Sequence, residues 1–364
     1  MKYVSLMLAA SMVFAAIAGC VGQFGESSGD FSDSPAVVPV ISPEKQEHTY
    51  GEMVEMINGL NAEYPDLVEV FSIGKSVESR DIWCIRITNE KITGGKLECL
   101  IDGCMHGTET AGEETCIVLM NYLLSNYKTN ATIRELVDSN IINIIPVANP
   151  DGREAGTREN ANGIDINRNY DIDWGNPIGM SVPDPLGTGH PLENCGPSAF
   201  SEPESCAMRD FMDVCDSNGN FAFYFNMHTN AFCFISPWDA ANPPFDVPEK
   251  DRELFHTVFK WVMENTIYSA TGSGMYPSDW SEFSVGAYYS SGEAKDWCYM
   301  RHRVPSFLLE LYNASMTPSD MNYWVRASLP TIIYLLEVSP ELYAWENPST
   351  EIKVDLGVDG GSIL

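Results

Sequence analysis

The sequence predicts an α/β fold: a mixed, mostly parallel twisted β-sheet with helices on both faces, in a single main domain. Two observations lead to this fold class. Near-continuous apolar runs such as "KLECLIDG" and "IINIIPVA" are typical of strands that are buried on both faces. Segments with helical periodicity alternate with these runs along the chain. Hydrophobic residues make up 44% of the 364 residues, enough for one large core.

The elements follow in order. "YGEMVEMINGLNAEYPDL" places Met53, Ile57 and Leu60 on one face of a helix. "LVEVFSIG" and "DIWCIRIT" predict short strands, and "ETCIVLMNYLL" predicts a helix between the two apolar runs. In "SEPESCAMRDFMDVC", Ser201 and Glu204 have capping-box spacing before a helical pattern. "NFAFYFNMH" and "SFLLELY" are two further candidates for buried strands.

The first twenty residues predict an export signal. Lys2 precedes a mostly apolar stretch, and Ile-Ala-Gly-Cys at 17–20 resembles a lipobox, in which Cys20 would carry a lipid. A simple cleaved signal is the alternative. We expect an exported, extracellular protein that is held at the outer face of the membrane only through that lipid.

The remaining chain divides by composition. Residues 21–45 are rich in Gly, Ser, Pro and acids and predict a flexible tether, 46–345 predict the catalytic domain, and 346–364 form an acidic C-terminal tail. Excluding Cys20, nine cysteines remain, so at least one is unpaired within the chain. Cys195 and Cys206 are candidates for a disulfide, although the sequence does not fix the connectivity.

The charge of the chain excludes one class of partner. Acidic residues outnumber basic ones 51 to 21, which gives a formal net charge of −30. Such a charge repels nucleic acid, so we expect none as a partner. We expect a monomer.

One group of residues suggests a metal site. His106 and Glu109 follow the apolar run "KLECLIDG", and His228 ends the apolar run "NFAFYFNMH". A histidine followed three residues later by an acid is expected about once by chance in this composition, so the pair alone is weak. A catalytic zinc site needs three ligands drawn from His, Glu and Asp, and His228 provides the third.

Other stretches suggest an anion-binding loop and a catalytic acid or base. Arg158, Asn167 and Arg168 lie among glycines and asparagines, and arginine binds carboxylates in a bidentate manner. Tyr288 occurs in "AYYSSGEAKDW". Glu310 interrupts the apolar run "SFLLELY", where a carboxylate is costly unless it is paired, protonated or used.

Taken in order, these stretches resemble the zinc carboxypeptidases of the carboxypeptidase A and T type. The resemblance runs from about residue 48 to 338 and includes HxxE, NPDG at 149–152, the NRN triplet at 167–169 and "GPSAFSEPE". It continues through the strand-end His228, Tyr288 eight residues before Asp296, and the glutamate of "FLLEL". Many matches in the family's order are a stronger signal than any one of them.

The resemblance implies an activity and a role for each residue. It implies a metallocarboxypeptidase that removes the C-terminal residue of peptides or proteins with one catalytic Zn²⁺. The metal ligands are His106, Glu109 and His228. Glu310 is the general base, Arg158 faces the developing oxyanion, and the substrate's terminal carboxylate contacts Asn167, Arg168 and Tyr288. In the family, position 295 lies at the floor of the side-chain pocket, so Lys295 predicts a preference for acidic C-terminal residues. The alternative is that Lys295 turns outward or pairs with Glu293, which would leave a mixed preference.

Two other functions remain open. Aspartoacylase-like zinc deacylases also use HxxE, a distant histidine and an Asp-x-Asn-Arg element, here residues 165–168. A catalytically inactive peptide-binding homologue would keep the fold but would normally have lost a ligand or the general base. The presence of Glu310 and of all three ligands argues against the second.

Overall fold

The structure is a computed structural model, and it describes residues 47–176, 194–229, 234–240, 242–265, 290–311 and 318–346. The predicted export signal with Cys20, the tether, Tyr288 and nearly all of the acidic tail lie outside the described residues. Within the described residues, no helix has the length and apolar character needed to cross a membrane.

In the described part of the chain, seven strands form one sheet in the order β1-β2-β4-β3-β5-β7-β6. The strands are β1 Val68–Lys75, β2 Asp81–Ile87, β3 Leu97–Asp102, β4 Asn140–Ile145, β5 Phe221–Thr229, β6 Phe234–Ile235 and β7 Ser306–Leu311.

The sheet is mixed, as predicted. Among the described strands, β3 pairs in parallel with β4 and β5, and β5 pairs in parallel with β7. The pairings β1 with β2, β2 with β4 and β6 with β7 are antiparallel. The predicted parallel majority therefore holds for the four central strands, whereas antiparallel strands form both edges.

The helices of the described residues are α1 Tyr50–Glu63, α2 Thr110–Asn126, α3 Ala131–Ser139, α4 Pro150–Ala155, α5 Pro203–Ser217, α6 Glu249–Asn265, α7 Ala294–His302, α8 Pro318–Glu337 and α9 Ser339–Glu346. A short 3₁₀ helix spans Ile166–Arg168. Helix α2 contacts α3 and α8, and α5 contacts α7, so the helices pack in separate groups.

The core lies around the central strands. Every residue of β3, β5 and β7 is buried, which requires packed side chains on both faces of the sheet. The predicted face of α1 is also confirmed, because Met53, Ile57 and Leu60 are buried. The carboxyl ends of β3, β5 and β7 meet at one edge, where α/β proteins usually place their ligands.

Two predictions of local structure are corrected. The capping box at Ser201 and Glu204 does not form, since α5 begins at Pro203 with Glu202 as an N-cap that makes no side-chain cap bond. Glu204 instead accepts hydrogen bonds from the Val77 amide and the Asn160 side chain, at 3.1 and 2.9 Å. Cys195 and Cys206, the disulfide candidates, are both free thiols.

Candidate active site

Three parallel strands bring the predicted metal ligands together. His106 follows β3 by four residues, and Glu109 occupies the N-cap position of α2 without making a side-chain cap bond. Its carboxylate therefore points away from the helix end, toward the other two ligands. His228 is the penultimate residue of β5 and lies opposite Glu310 in the pairing with β7.

The ligand atoms converge on a small buried space. His228 Nδ1 lies 3.1 Å from His106 Nδ1 and 2.8 Å from Glu109 Oε2. His106 Nδ1 lies 2.9 Å from Glu109 Oε1. The three ligand atoms lie within 4.8 Å of one another, and all three side chains are buried.

The outer nitrogen of each ring has an oxygen partner. His106 Nε2 lies 3.0 Å from Asp165 Oδ1, and His228 Nε2 lies 2.5 Å from Asn226 Oδ1. An oxygen acceptor at Nε2 places the ring proton there, which leaves the Nδ1 lone pair directed toward the shared space. Both rings are therefore set in the tautomer that binds a metal through Nδ1.

The charges of the site favour a cation between the rings. Burial and Arg158 lower the pKa of His106, but Glu109 and Asp165 outweigh them and raise it to about 9. Burial raises the pKa of Glu109, yet His106 and His228 together hold it well below its usual range. Burial lowers the pKa of His228. An imidazole that binds a proton so strongly indicates a space that is suited to positive charge.

These residues fit zinc. Two imidazole nitrogens and one carboxylate are the protein donor set of a catalytic rather than a structural zinc site. Hydrogen-bonded outer nitrogens are a further property of such sites. Within the described ranges, His106, Glu109 and His228 form the only group of three or more potential ligands close enough to share an ion.

Arg158 lies beside the metal ligands. Its Nε and Nη2 atoms both donate to Asp165 Oδ2 at 2.8 Å, and its Nη1 atom lies 3.3 Å from Glu109 Oε1. Its side chain is 29% exposed, more than any of the three ligands. Asp165 thus orients both Arg158 and His106, and the Arg158 side chain stays partly exposed beside the metal ligands.

Glu310 is buried and lies opposite His228 on the neighbouring strand β7. It is 8% exposed, and among the described residues no group donates a hydrogen bond to its Oε2 atom. Burial and, next, Glu109 raise the pKa of Glu310 to about 8, against the opposing effects of His106 and Arg158. A buried carboxylate with a raised pKa and an oxygen short of partners is suited to accept a proton.

The predicted carboxylate-binding residues lie on the adjoining 3₁₀ helix, Ile166–Arg168. The side-chain oxygen of Asn167 accepts from the Ala294 amide at 3.0 Å, and its Nδ2 atom lies 3.4 Å from His228 Nε2. Arg168 Nη1 donates to the Asn167 carbonyl at 3.0 Å and to Glu293 Oε1 at 3.3 Å. Asn167 therefore lies next to a metal ligand, and Arg168 lies beside Asn167.

Lys295 lies in a cluster of acidic side chains. Its ammonium lies 2.5 Å from Asp296, 3.2 Å from Asp239 and 3.6 Å from Glu293. The side chain of Lys295 is fully buried. Burial lowers the pKa of Lys295, but Asp239, Asp296 and Glu293 outweigh it and raise the pKa well above its usual value. The ammonium is therefore charged and shared among carboxylates.

A close backbone contact holds the metal loop in place. A Cβ added to Gly107 would lie 2.0 Å from the carbonyl carbon of Gly152, so only glycine permits this approach. Gly152 belongs to α4, which begins in the NPDG motif, and its amide donates to the N-cap residue Asn149 at 2.9 Å. The motif thus positions the loop between His106 and Glu109.

A second concavity, of about 630 Å³, lies at the amino end of β3, opposite to the metal ligands. Two of its charged residues, Lys96 and Glu98, have partners within the fold. Lys96 donates to Thr88 Oγ1 at 2.7 Å, and Glu98 accepts from Asn143 and Asn218 at 2.9 and 2.8 Å. Nothing in this lining resembles the convergent site at the other edge.

The geometry agrees with comparisons to known proteins. A family model described as zinc carboxypeptidase matches residues 53–327, about three quarters of the chain. The chain belongs to the zinc carboxypeptidase family. The matched region contains every predicted site residue, and the three metal-ligand candidates in it are the three that the structure brings together.

Two curated relatives illustrate the range of similarity. Human carboxypeptidase D is 25% identical over 327 residues, which cover 84% of this chain and 22% of that protein. A zinc carboxypeptidase of Saccharothrix mutabilis subsp. capreolus is 35% identical over 143 residues, covering 35% of this chain and 33% of that protein. The chain spans about a fifth of the length of the first curated relatives that it matches.

Solved structures share the fold. Carboxypeptidase A from Helicoverpa armigera matches with a TM-score of 0.64 at 23% identity, covering 86% of this chain and 77% of that one. The structure of thrombin activatable fibrinolysis inhibitor matches with a TM-score of 0.66 at 20% identity, covering 82% of this chain and 74% of that one. The mixed sheet with helices is therefore the fold of zinc carboxypeptidases.

Sequence reasoning missed three residues that support the site. Asp165 belongs to the deacylase-like element of the sequence, and in the structure it contacts both His106 and Arg158. Asp102 and Asn226 are the other two, and Asn226 contacts both His228 and Asp102. The signal was present in the sequence, because both interrupt buried apolar strands in the same way as Glu310 does.

Proposed function

We propose that the protein is a zinc-dependent metallocarboxypeptidase that hydrolyses the last peptide bond of peptides or proteins. The observation that carries this proposal is the convergence of His106, Glu109 and His228 beside the buried carboxylate of Glu310. One Zn²⁺ would be held by the two Nδ1 atoms and the Glu109 carboxylate. When bound, zinc lowers the pKa of a water ligand and polarises the scissile carbonyl.

The residues around the metal ligands carry the proton and the charge. Glu310 accepts a proton from the attacking water and later delivers it to the leaving amine, so one carboxylate serves as base and then as acid. Arg158, oriented by Asp165, donates hydrogen bonds to the oxygen on which negative charge develops. Because Arg158 is fixed before substrate arrives, little reorganisation is needed in the transition state.

Substrate recognition is assigned to the neighbouring loop. Arg168 and Asn167 bind the terminal carboxylate of the substrate, and the resemblance adds Tyr288, which lies outside the described residues. A fixed carboxylate site at a set distance from the metal ligands allows only the last peptide bond to reach them. This restriction makes the enzyme an exopeptidase.

The preference for the side chain of the last residue depends on the charges around Lys295. The acidic preference predicted from Lys295 requires an ammonium without a carboxylate partner, whereas this ammonium contacts Asp239, Glu293 and Asp296. One cation among three carboxylates provides no excess of positive charge. These contacts do not support the acidic preference, and we propose instead that peptides ending in Leu or Arg are cleaved better than those ending in Glu.

Zinc content and a matched peptide pair test the activity. We expect one zinc per purified chain and release of only the last residue from a peptide with a free C-terminus, while the same peptide with a C-terminal amide is cleaved poorly. The matched variant His228→Ala should lose zinc and activity together. Full activity in the metal-free protein would contradict the proposal.

The same samples address the deacylase alternative. An aspartoacylase-like enzyme would hydrolyse N-acyl amino acids and leave longer peptides intact. Hydrolysis of such substrates without peptide cleavage would favour that function. Zinc binding with no hydrolysis of either substrate class would favour an inactive peptide-binding homologue.

A further inference from the structure

A series of buried, hydrogen-bonded side chains extends from His228, the second histidine of the metal site. Tyr224, Asn226 and His228 are alternate residues of β5, so their side chains lie on the same face of the sheet. On that face, Asn226 lies opposite Asp102, the last residue of β3. All four side chains are almost completely buried.

The hydrogen bonds of this series all lead toward the Asp102 carboxylate. His228 Nε2 donates to Asn226 Oδ1 at 2.5 Å, and Asn226 Nδ2 donates to Asp102 Oδ1. The other oxygen of Asp102 accepts from the Tyr224 hydroxyl at 2.5 Å. Because hydrogen-bonded groups polarise one another, the carboxylate makes the amide oxygen a stronger acceptor for the imidazole proton.

A buried carboxylate at this position needs a reason. Burial raises the pKa of Asp102 to about 7, although the bonds from Tyr224 and Asn226 lower it. An apolar residue would avoid this cost, and β3 is otherwise mostly apolar. The hydrogen bonds that connect Asp102 with His228 give this charge a function. A histidine ligand binds a metal more tightly when its other nitrogen donates to a basic acceptor.

We propose that Asp102 is a positioning residue for the metal, acting on His228 through the side-chain amide of Asn226. The inference rests on the proposed zinc site. It gives each histidine ligand its own carboxylate: Asp165 contacts His106 directly, whereas Asp102 reaches His228 through one intervening amide.

Zinc affinity of the metal-free protein, measured by competition with a chromophoric chelator, tests the proposal without relying on activity. The measurement is made at about pH 9, well above the pKa of Asp102, so that the carboxylate stays ionised in Tyr224→Phe, which loses a bond that lowers this pKa. Asp102→Asn keeps the shape of the side chain and removes its charge, and we expect the Kd for zinc to rise about tenfold, the lower end for outer-shell partners. Tyr224→Phe removes the other hydrogen bond to the same carboxylate and should change the Kd by less than about twofold.

A double variant separates positioning from structural damage. Combining Asp102→Asn with Asn226→Asp moves the carboxylate one step closer to His228 while every hydrogen bond of the series can still form. We expect the pair to restore the parent Kd or to bind zinc more tightly. Equal Kd values in the parent protein and Asp102→Asn would overturn the positioning role alone, as would equal weakening by Tyr224→Phe. Failure of the parent protein to bind zinc would overturn the proposed function as well.

Discussion

The two halves of the candidate site handle charge in opposite ways. In the metal half, His106, Glu109 and His228 face one another, and the raised pKa of His106 indicates a space for a cation. In the substrate half, Arg168 contacts Glu293, and Lys295 contacts three carboxylates. The metal half therefore favours the binding of a cation, whereas in the substrate half the positive side chains already contact carboxylates.

Because of this difference, the role of a single residue can be predicted from the sequence in the metal half but not in the substrate half. The role of a residue in the metal half can be predicted from its own chemistry, because imidazole and carboxylate groups are the usual zinc ligands. The effect of a charge in the substrate half depends on partners elsewhere in the chain, such as Asp239, 56 residues before Lys295.

Loss of Glu310 should give the largest effect on turnover. In Glu310→Gln we expect kcat to fall by about 10²–10⁴-fold because the general base is lost, while the zinc content and melting temperature stay near those of the parent. Steady-state kinetics and elemental analysis measure the two quantities. Glu337→Gln is the control, since burial also raises the pKa of Glu337 to about 7 but it lies on α8, and its kcat should not change. A fall of less than tenfold in Glu310→Gln would assign the base to another residue.

The grip on the terminal carboxylate should give the next largest effect. In Arg168→Gln we expect kcat/KM to fall about 10- to 100-fold, because a hydrogen bond to a charged group contributes about 1.5–3 kcal/mol. The advantage of a free C-terminus over a C-terminal amide should shrink by the same factor. Arg209→Gln, at a partly exposed arginine of α5, is the matched control. An unchanged preference for the free carboxylate would remove Arg168 from the grip.

Asp165 tests the carboxylate that contacts a ligand directly. Asp165→Asn should weaken zinc binding about 10- to 100-fold, at least as much as Asp102→Asn, because Asp165 contacts His106 with no intervening amide. It should also lower kcat, since Arg158 loses its two bonds to the carboxylate. Chelator competition and kinetics on the same preparations separate the two effects. A smaller loss of zinc affinity than in Asp102→Asn would reverse the ranking.

Much of the metal half could be predicted from the sequence. Apolar runs marked β3, β5 and β7, and the polar residues at their ends marked His106, His228 and Glu310. This works because parallel strands buried on both faces must expose their chemistry at their carboxyl ends. The same reasoning could have found Asp102 and Asn226, which also interrupt apolar strands.

The rest could not be predicted because it depends on contacts between distant segments. The capping box of Ser201 failed since Asn160 and the amide of Val77 compete for Glu204, and neither lies near it in the sequence. The contacts of Lys295 could not be predicted for the same reason, because Asp239 lies 56 residues before it in the sequence. Local spacing reports which residues are neighbours along a helix, but it does not report which side chains another loop brings to them.

The smallest expected effect concerns side-chain preference. Lys295→Met removes one positive charge from the cluster, so we expect kcat/KM for peptides ending in Arg to rise relative to Leu. At about 4 Å, a unit charge is worth about 1–4 kcal/mol between the limits of water and the protein surface. The pKa of Asp239 is raised well above its usual value, chiefly by burial, so a proton can replace part of the lost charge. We therefore expect only the lower limit, roughly a fivefold change.

The control variant restores the net charge of the cluster. Combining Lys295→Met with Asp239→Asn removes one charge of each sign, so the ratio of Arg to Leu cleavage should return to that of the parent. Melting temperatures of both variants show whether the buried carboxylates have destabilised the fold, because loss of one partner of a buried pair costs about 3–5 kcal/mol. A parent enzyme that cleaves Glu-ended peptides best would mean that Lys295 acts as a free charge despite its three contacts. The charge preference of the substrate half would then be set by Lys295 alone.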